Sequence, residues 1–132
     1  MFLIDTNVIV DVVSRDPTWF SWSSSALERC AEDGPLAINP IIYAELASGF
    51  DRIEELEAML PEPDWRRLPL PWSAAFLAGR SFLEYRRRGG TRTRTLPDFY
   101  IGAHAAVEGL VVVSRDAARF KTYFPRVEVI SP

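Results

Sequence analysis

Four acidic residues in this chain stand where carboxylates do chemistry. Asp5 follows the apolar run 2–4, Glu45 lies in the helix after the run 36–38, Asp98 opens the helix before the run 110–113, and Asp116 follows that run. Each aspartate also has a plainer reading, because Asp is a favoured N-cap and gains ~0.3–1 kcal/mol at a helix N-terminus. Glu45 fits that reading less well. It sits one turn beyond Ile41 and Ile42, at the edge of an apolar stripe where a carboxylate is unexpected without a partner. If the four share one crevice, each pair ~4–5 Å apart repels by about 3–4 kcal/mol at an effective dielectric of ~20. No basic residue from the sheet core offers itself as a partner, so a cation is expected there. Mg²⁺ or Mn²⁺ suits oxygen donors, whereas zinc would call for His and Cys, of which the chain has one each. His104, with Tyr100 one turn before it, is read as a packing residue.

Alternating strands and helices must position these acids. The run 2–4 reads as a strand, and Val8, Ile9, Val12 and Val13 then recur at helical spacing. Asp16-Pro17 signals a helix start, with the helix running through Trp19, Trp22, Ala26 and Cys30 to Gly34. A strand at 36–38 precedes Asn39-Pro40, which opens a helix to Gly49, and 51–60 reads as another helix. The segment 65–70 is a short third strand. The longest helix, 73–88, ends in Arg86, Arg87 and Arg88 followed by Gly89-Gly90, cations and a left-handed cap that suit the helix dipole. A polar loop at 91–95 leads through Pro97-Asp98 into a helix to Gly109. The buried-type strand 110–113 follows, then a helix opened by 114–116 and reaching Tyr123, and a last strand at 127–130. This order predicts an α/β fold, a three-layer α/β/α sandwich around a mostly parallel sheet of about five strands. In such sheets the functional crevice lies outside the carboxyl ends of the strands.

At 132 residues the chain is expected to form a single domain, 1–132. Apolar residues make up 48% and charged residues 25%, which excludes a disordered polymer. The net charge of −3 excludes a generally basic nucleic-acid binder, so a polyanion must meet a local basic patch. Cys30 is the only cysteine and cannot form an intrachain disulfide, which points to a reducing, cytoplasmic setting. The longest charge-free stretch, 68–79, is interrupted by Pro69 and Pro71 and is too short for a membrane span. Asp5 and Asp11 interrupt what would be a signal peptide's apolar region, so the N-terminus is expected to belong to the fold.

Asp5-Thr6-Asn7 after the first strand, a glutamate in the next capped helix, the run Pro97-Asp98-Phe99-Tyr100-Ile101-Gly102-Ala103-His104-Ala105, and Ser114-Arg115-Asp116 with Phe120 together resemble a PIN-domain ribonuclease. The likeness spans nearly the whole chain. Its size, with nothing appended, is similar to that of a VapC-type toxin of a bacterial type II toxin–antitoxin pair. The resemblance implies that Asp5, Glu45, Asp98 and Asp116 form the catalytic acidic cluster. Asp5, Asp98 and Asp116 would hold Mg²⁺ or Mn²⁺, and Asn7 and Ser114 would be polar supports. Ser114 stands where relatives often carry threonine, and Glu54 and Glu55 lie near enough to compete with Glu45 in the alignment. The implied substrate is single-stranded or loop RNA, cleaved to 5′-phosphate and 3′-hydroxyl ends. The implied partners are an antitoxin and a second copy of the chain, with no membrane.

Phosphodiester hydrolysis needs an activated water in line with the leaving oxygen and compensation of growing negative charge, both of which one or two metal ions supply. Five arginines fall within 86–94, and Arg88, Arg92 and Arg94 are the candidates for RNA or antitoxin contact. The same residues also read as a helix end followed by a solvated loop. Trp19, Trp22, Trp65 and Trp72 read as core or interface residues before base-stacking ones. Two other functions compete. A strand ending in Asp5-Thr6 resembles haloacid dehalogenase-like phosphatases, but the second aspartate these need is Asn7 here, and the only lysine, Lys121, comes after Asp116. A non-catalytic PIN-like module acting with an antitoxin is the other.

Overall fold

Leu3 and Ile4 are neighbours in an extended segment, so their side chains leave on opposite faces, and both are fully buried. The pairs Ala37 and Ile38, and Val112 and Val113, behave alike. A sheet buried on both faces must carry helices on both, which is the three-layer arrangement. The computed structural model describes residues 1–132. In chain order it contains β1 (Phe2–Ile4), α1 (Thr6–Val13), α2 (Phe20–Asp33), β2 (Leu36–Ile38), α3 (Pro40–Ala47), α4 (Ile53–Met59), β3 (Trp65–Arg67), α5 (Trp72–Arg87), α6 (Pro97–Glu108), β4 (Val111–Val113), α7 (Ala118–Tyr123) and β5 (Val129–Ile130).

The strand order is β3-β2-β1-β4-β5, and every pairing is parallel. The expected mostly parallel sheet is thus parallel throughout. From β1 the chain winds outward one way through β2 and β3, and then returns to lay β4 on the other side of β1. The order therefore reverses between β1 and β4, and at such a reversal the loops leaving the two strands part and open a crevice at their carboxyl ends. Asp5 follows one of these strands and Ser114 the other.

Local chemistry explains most boundaries. Asp5 caps α1, its Oδ1 accepting the Thr6 N–H at 2.8 Å. Asn39 caps α3 by accepting the Ile42 N–H at 3.0 Å, with Pro40 in the first turn. Gly109 closes α6 at φ 68°, a left-handed conformation that favours glycine. Several starts differ from expectation, α4 beginning at Ile53 and β5 at Val129, and two have a visible cause. Asp16 Oδ1 accepts from the N–H groups of Thr18 and Trp19, both at 2.9 Å, which closes a turn at 17–19 and delays α2 to Phe20. Asp116 does not open α7, which begins at Ala118 with Ala117 as its cap. No helix is long and apolar enough to cross a membrane.

The main core gathers the sheet with Val8, Ile9, Ala26, Ile42, Ile101 and Phe120 from the helices. A second core joins Ala74 and Ala78 of α5 to Phe99 and Ala103 of α6 and to Phe124. Phe99 lies at its centre, edge-on to Phe82, Tyr85, Tyr123 and Phe124 with ring centroids 5.3–6.4 Å apart. Gly102, one turn beyond Asp98, lets Phe124 pack directly on the α6 backbone, because a Cβ there would overlap the phenyl ring. Gly102→Ala is therefore expected to lower unfolding stability by about 1–3 kcal/mol in chemical denaturation, despite alanine's better helix propensity.

Candidate active site

The site at the carboxyl ends of β1 and β4 is built from backbone outward. The Asp5 N–H donates to Val113 O at 2.9 Å, which stitches the end of β1 to the end of β4. That register places Ser114 beside Asp5, and Ser114 Oγ donates to Asp5 Oδ2 at 2.7 Å. The same hydroxyl oxygen accepts from Asn7 Nδ2 at 3.4 Å and from the Asp116 N–H at 3.1 Å. Asn7 Oδ1 accepts the Arg115 N–H at 3.2 Å, so Asn7 and Ser114 tie the loop after β4 to the first turn of α1. Glu45 comes to the same mouth from α3, accepting a hydrogen bond from Thr6 Oγ1 at 2.9 Å. Glu45 is half-buried and Asp5 buried.

The carboxylates sense one another. Burial, reinforced by the charges of Asp98 and Glu45, pushes Asp5 up to about 6 against the pull of Ser114 and the Thr6 N–H. Burial also raises Glu45, opposed by the Thr6 hydroxyl and aided by the charge of Asp98. Burial raises Asp98 too, opposed by Arg119 and aided by Asp116. Asp5, Glu45 and Asp98 thus form one electrostatic group, and exposed Asp116 joins it through Asp98. Asp98 lies in the first turn of α6 without capping it.

The basic partner that the sheet core does not offer comes from a helix. Arg119 of α7 donates from Nη1 to Asp98 Oδ2 at 3.1 Å, and its guanidinium lies over the rings of Tyr85 at 5.7 Å and Phe99 at 5.8 Å. Sequence reasoning missed it because Asp98 and Arg119 belong to separate helices with β4 between them. It also missed Thr6 as the partner of Glu45, although Thr6 stands inside the Asp5-Thr6-Asn7 triplet. A third omission is Asp11, buried in α1, which receives Nε and Nη2 of Arg115 at 2.7 and 3.0 Å and the Ser23 hydroxyl at 2.7 Å. With Trp19 under its guanidinium at 5.3 Å, Arg115 clamps the loop that carries Ser114 and Asp116.

As the side chains stand, no three His, Cys, Asp or Glu residues are arranged to hold a metal ion. The donor chemistry nevertheless fits a hard divalent cation, since the mouth offers carboxylate and hydroxyl oxygens and the buried Asp5 carboxyl is held well above its ordinary value. Of the other sequence candidates, Arg92 and Arg94 are exposed, whereas Arg88 is engaged by Glu84 at 3.0 Å and by the Tyr123 ring at 5.3 Å. His104 is fully buried, with Asn39 at 3.0 Å and Glu108 at 3.1 Å from its two ring nitrogens, in keeping with its reading as a packing residue. Trp22 and Trp65 pack on the main core, while Trp72 is 92% exposed on the outer side of α5.

Comparison with known proteins fits this geometry. A sequence model of the PIN domain matches residues 2–125. The chain belongs to the PIN domain family. Among solved structures, FitAcB from Neisseria gonorrhoeae is similar at 26% identity and a TM-score of 0.71, covering 100% of this chain and 98% of that one. VapBC2 from Rickettsia felis, bound to a DNA fragment from its promoter, is similar at 21% identity and a TM-score of 0.75, covering 99% and 98%. A toxin–antitoxin complex from Klebsiella pneumoniae is similar at 22% identity and a TM-score of 0.68, covering 100% and 98%. No functionally curated protein matches the sequence.

The raised Asp5 gives a signed prediction for this PIN domain. Between its unfolded value near 3.8 and its folded value near 6 the folded state binds the extra proton, so stability falls as pH rises through that window. In chelator-treated protein, Asp5→Asn is expected to be more stable than the parent at pH 7.5, by on the order of 1–3 kcal/mol. That gain should vanish near pH 4, as read from denaturation midpoints at the two pH values.

Proposed function

We propose that the chain is a metal-dependent endoribonuclease, the toxin of a type II toxin–antitoxin pair, with Asp5, Glu45, Asp98 and Asp116 as its acidic centre. The observation that carries this reading is the meeting of Asp5 and Glu45 through Thr6 at the switch point of a PIN fold, with burial and the charge of Asp98 raising both carboxyl groups. The toxin–antitoxin assignment is supported by full-length likeness to chains from toxin–antitoxin structures. A cognate antitoxin and a homodimer follow from the same likeness as expectations for this chain.

Asp5, Asp98 and Asp116 would hold Mg²⁺ or Mn²⁺. When bound, such an ion supplies a more acidic water and charge compensation at the phosphate. Ser114 and the Thr6 N–H fix the Asp5 carboxyl in one orientation through bonds to its two oxygens. The Thr6 hydroxyl holds one Glu45 oxygen, leaving the other to orient a water or complete the ligand set. The Arg115 clamp on Asp11 keeps the loop bearing Asp116 in place. Exposed Arg92 and Arg94 stand free to meet RNA phosphates.

Asp5→Asn and Asp98→Asn are expected to lower Mn²⁺-dependent cleavage of a single-stranded RNA by at least ~100-fold, since each removes a carboxylate from the reacting centre. The parent's melting temperature should rise on adding Mn²⁺. Absence of both cleavage and a Mn²⁺ shift in the parent would favour a non-catalytic scaffold. Changing Arg92 and Arg94 together to Ala should flatten the dependence of log RNA affinity on log salt by about 1–1.5, given a slope of roughly 0.7 per single-strand phosphate contact. An unchanged slope would place the RNA elsewhere.

A further inference from the structure

The arginines that clamp this fold do so with several bonds each. Arg115 meets Asp11 through two nitrogens, and Arg67 bonds Glu57 through two and the Leu60 carbonyl as well. Arg119 is different. It makes one hydrogen bond, from Nη1 to Asp98 Oδ2, although a guanidinium carries five N–H donors. Its side chain is 36% exposed, and the rings of Tyr85 and Phe99 fix its plane from the second core. Arg119 stands three residues after Asp116 in the first turn of α7, and Asp98 feels both residues. A cation with unused donors is thus held at the mouth by an aromatic platform, bonded to a proposed ion ligand.

We infer that Arg119 exchanges partners during function: it is the counter-ion of Asp98 in the ion-free protein, and on release from Asp98 it binds the phosphodiester of the substrate. This inference rests on the proposed ion site. A guanidinium and a divalent ion at one carboxylate repel each other, so binding the ion must weaken the Arg119–Asp98 bond. The freed fork matches two oxygens of a phosphate better than any ammonium would, and the two rings limit how far it can swing. No covalent step is involved.

The test is Mn²⁺ titration by calorimetry of the full chain, together with steady-state cleavage of a single-stranded oligoribonucleotide at saturating Mn²⁺. Arg119→Gln is expected to bind Mn²⁺ about three- to tenfold more tightly, the scale of one partly exposed charge pair, while its KM for RNA rises about tenfold, the scale of one lost charge-assisted contact. Arg119→Lys should keep the parent's Mn²⁺ affinity within about twofold, because the charge remains, yet still show a raised KM, because the fork is gone. A purely structural role would weaken both properties together. Unchanged or weaker Mn²⁺ binding in Arg119→Gln, or an unchanged KM, overturns the inference. If Arg119→Gln does not fold, an unchanged KM in Arg119→Lys overturns it alone. Absence of Mn²⁺ binding in parent and variants alike overturns the ion-site reading and this inference with it, whereas equal Mn²⁺ binding in parent and Arg119→Gln overturns this inference only.

Discussion

The structure depends on holding a carboxylate where water cannot fully reach it. Asp5 is the first residue beyond the central strand, its backbone bonded to the neighbouring strand and its side chain bonded to Ser114 and Thr6. It cannot turn to solvent without giving up its bonds to the Ser114 hydroxyl and the Thr6 N–H. The protein therefore keeps a group whose charge the fold itself disfavours, and surrounds it with Asp98 and Glu45, which disfavour it further. Such an arrangement opposes stability, and sites of this kind mark function more often than packing.

Two arginines divide the work around that carboxylate. Arg115 is structural: its fork meets the buried Asp11, its ring partner is Trp19, and it fastens the loop after β4 to α1 and α2. Losing Arg115 would strand the buried Asp11 carboxylate. Arg119 meets Asp98 with a single bond and rests on a platform of rings. The second core thus serves the site as well as the fold, because the aromatic residues that close α5 on α6 also hold a cation beside Asp98. Gly102 belongs to the same device, letting Phe124 approach the helix that carries Asp98.

Charge on the whole molecule is a poor guide to this surface. The chain is net acidic, yet it carries a run of arginines before Asp98, some tied down and some exposed. Arg86 donates to the Arg92 carbonyl at 2.7 Å and Arg88 is held by Glu84, while Arg92 and Arg94 reach solvent. A run of like charges in sequence becomes, in three dimensions, a helix end where one arginine is paired with an acid and a loop whose arginines are not.

The sequence by itself determined the order of strands and helices, because apolar periodicity and the cap signals at Asp5, Asn39-Pro40, Pro97 and Gly109 are local properties of the chain. It also determined which acids lie beyond strand ends, and the resemblance carried by the segments around Asp5, Asp98 and Ser114. At the starts of α2 and α7 it went astray because the Asp16 and Asp116 side chains accept from N–H groups just ahead and close turns instead. Only the tertiary structure decided which strands are neighbours, and hence that Asp5 meets Ser114 across 109 positions. It alone paired Asp11 with Arg115, Thr6 with Glu45 and Asp98 with Arg119. The physical reason is that these bonds join side chains from different elements, whose approach is set by sheet order and helix packing and leaves no periodic trace in sequence.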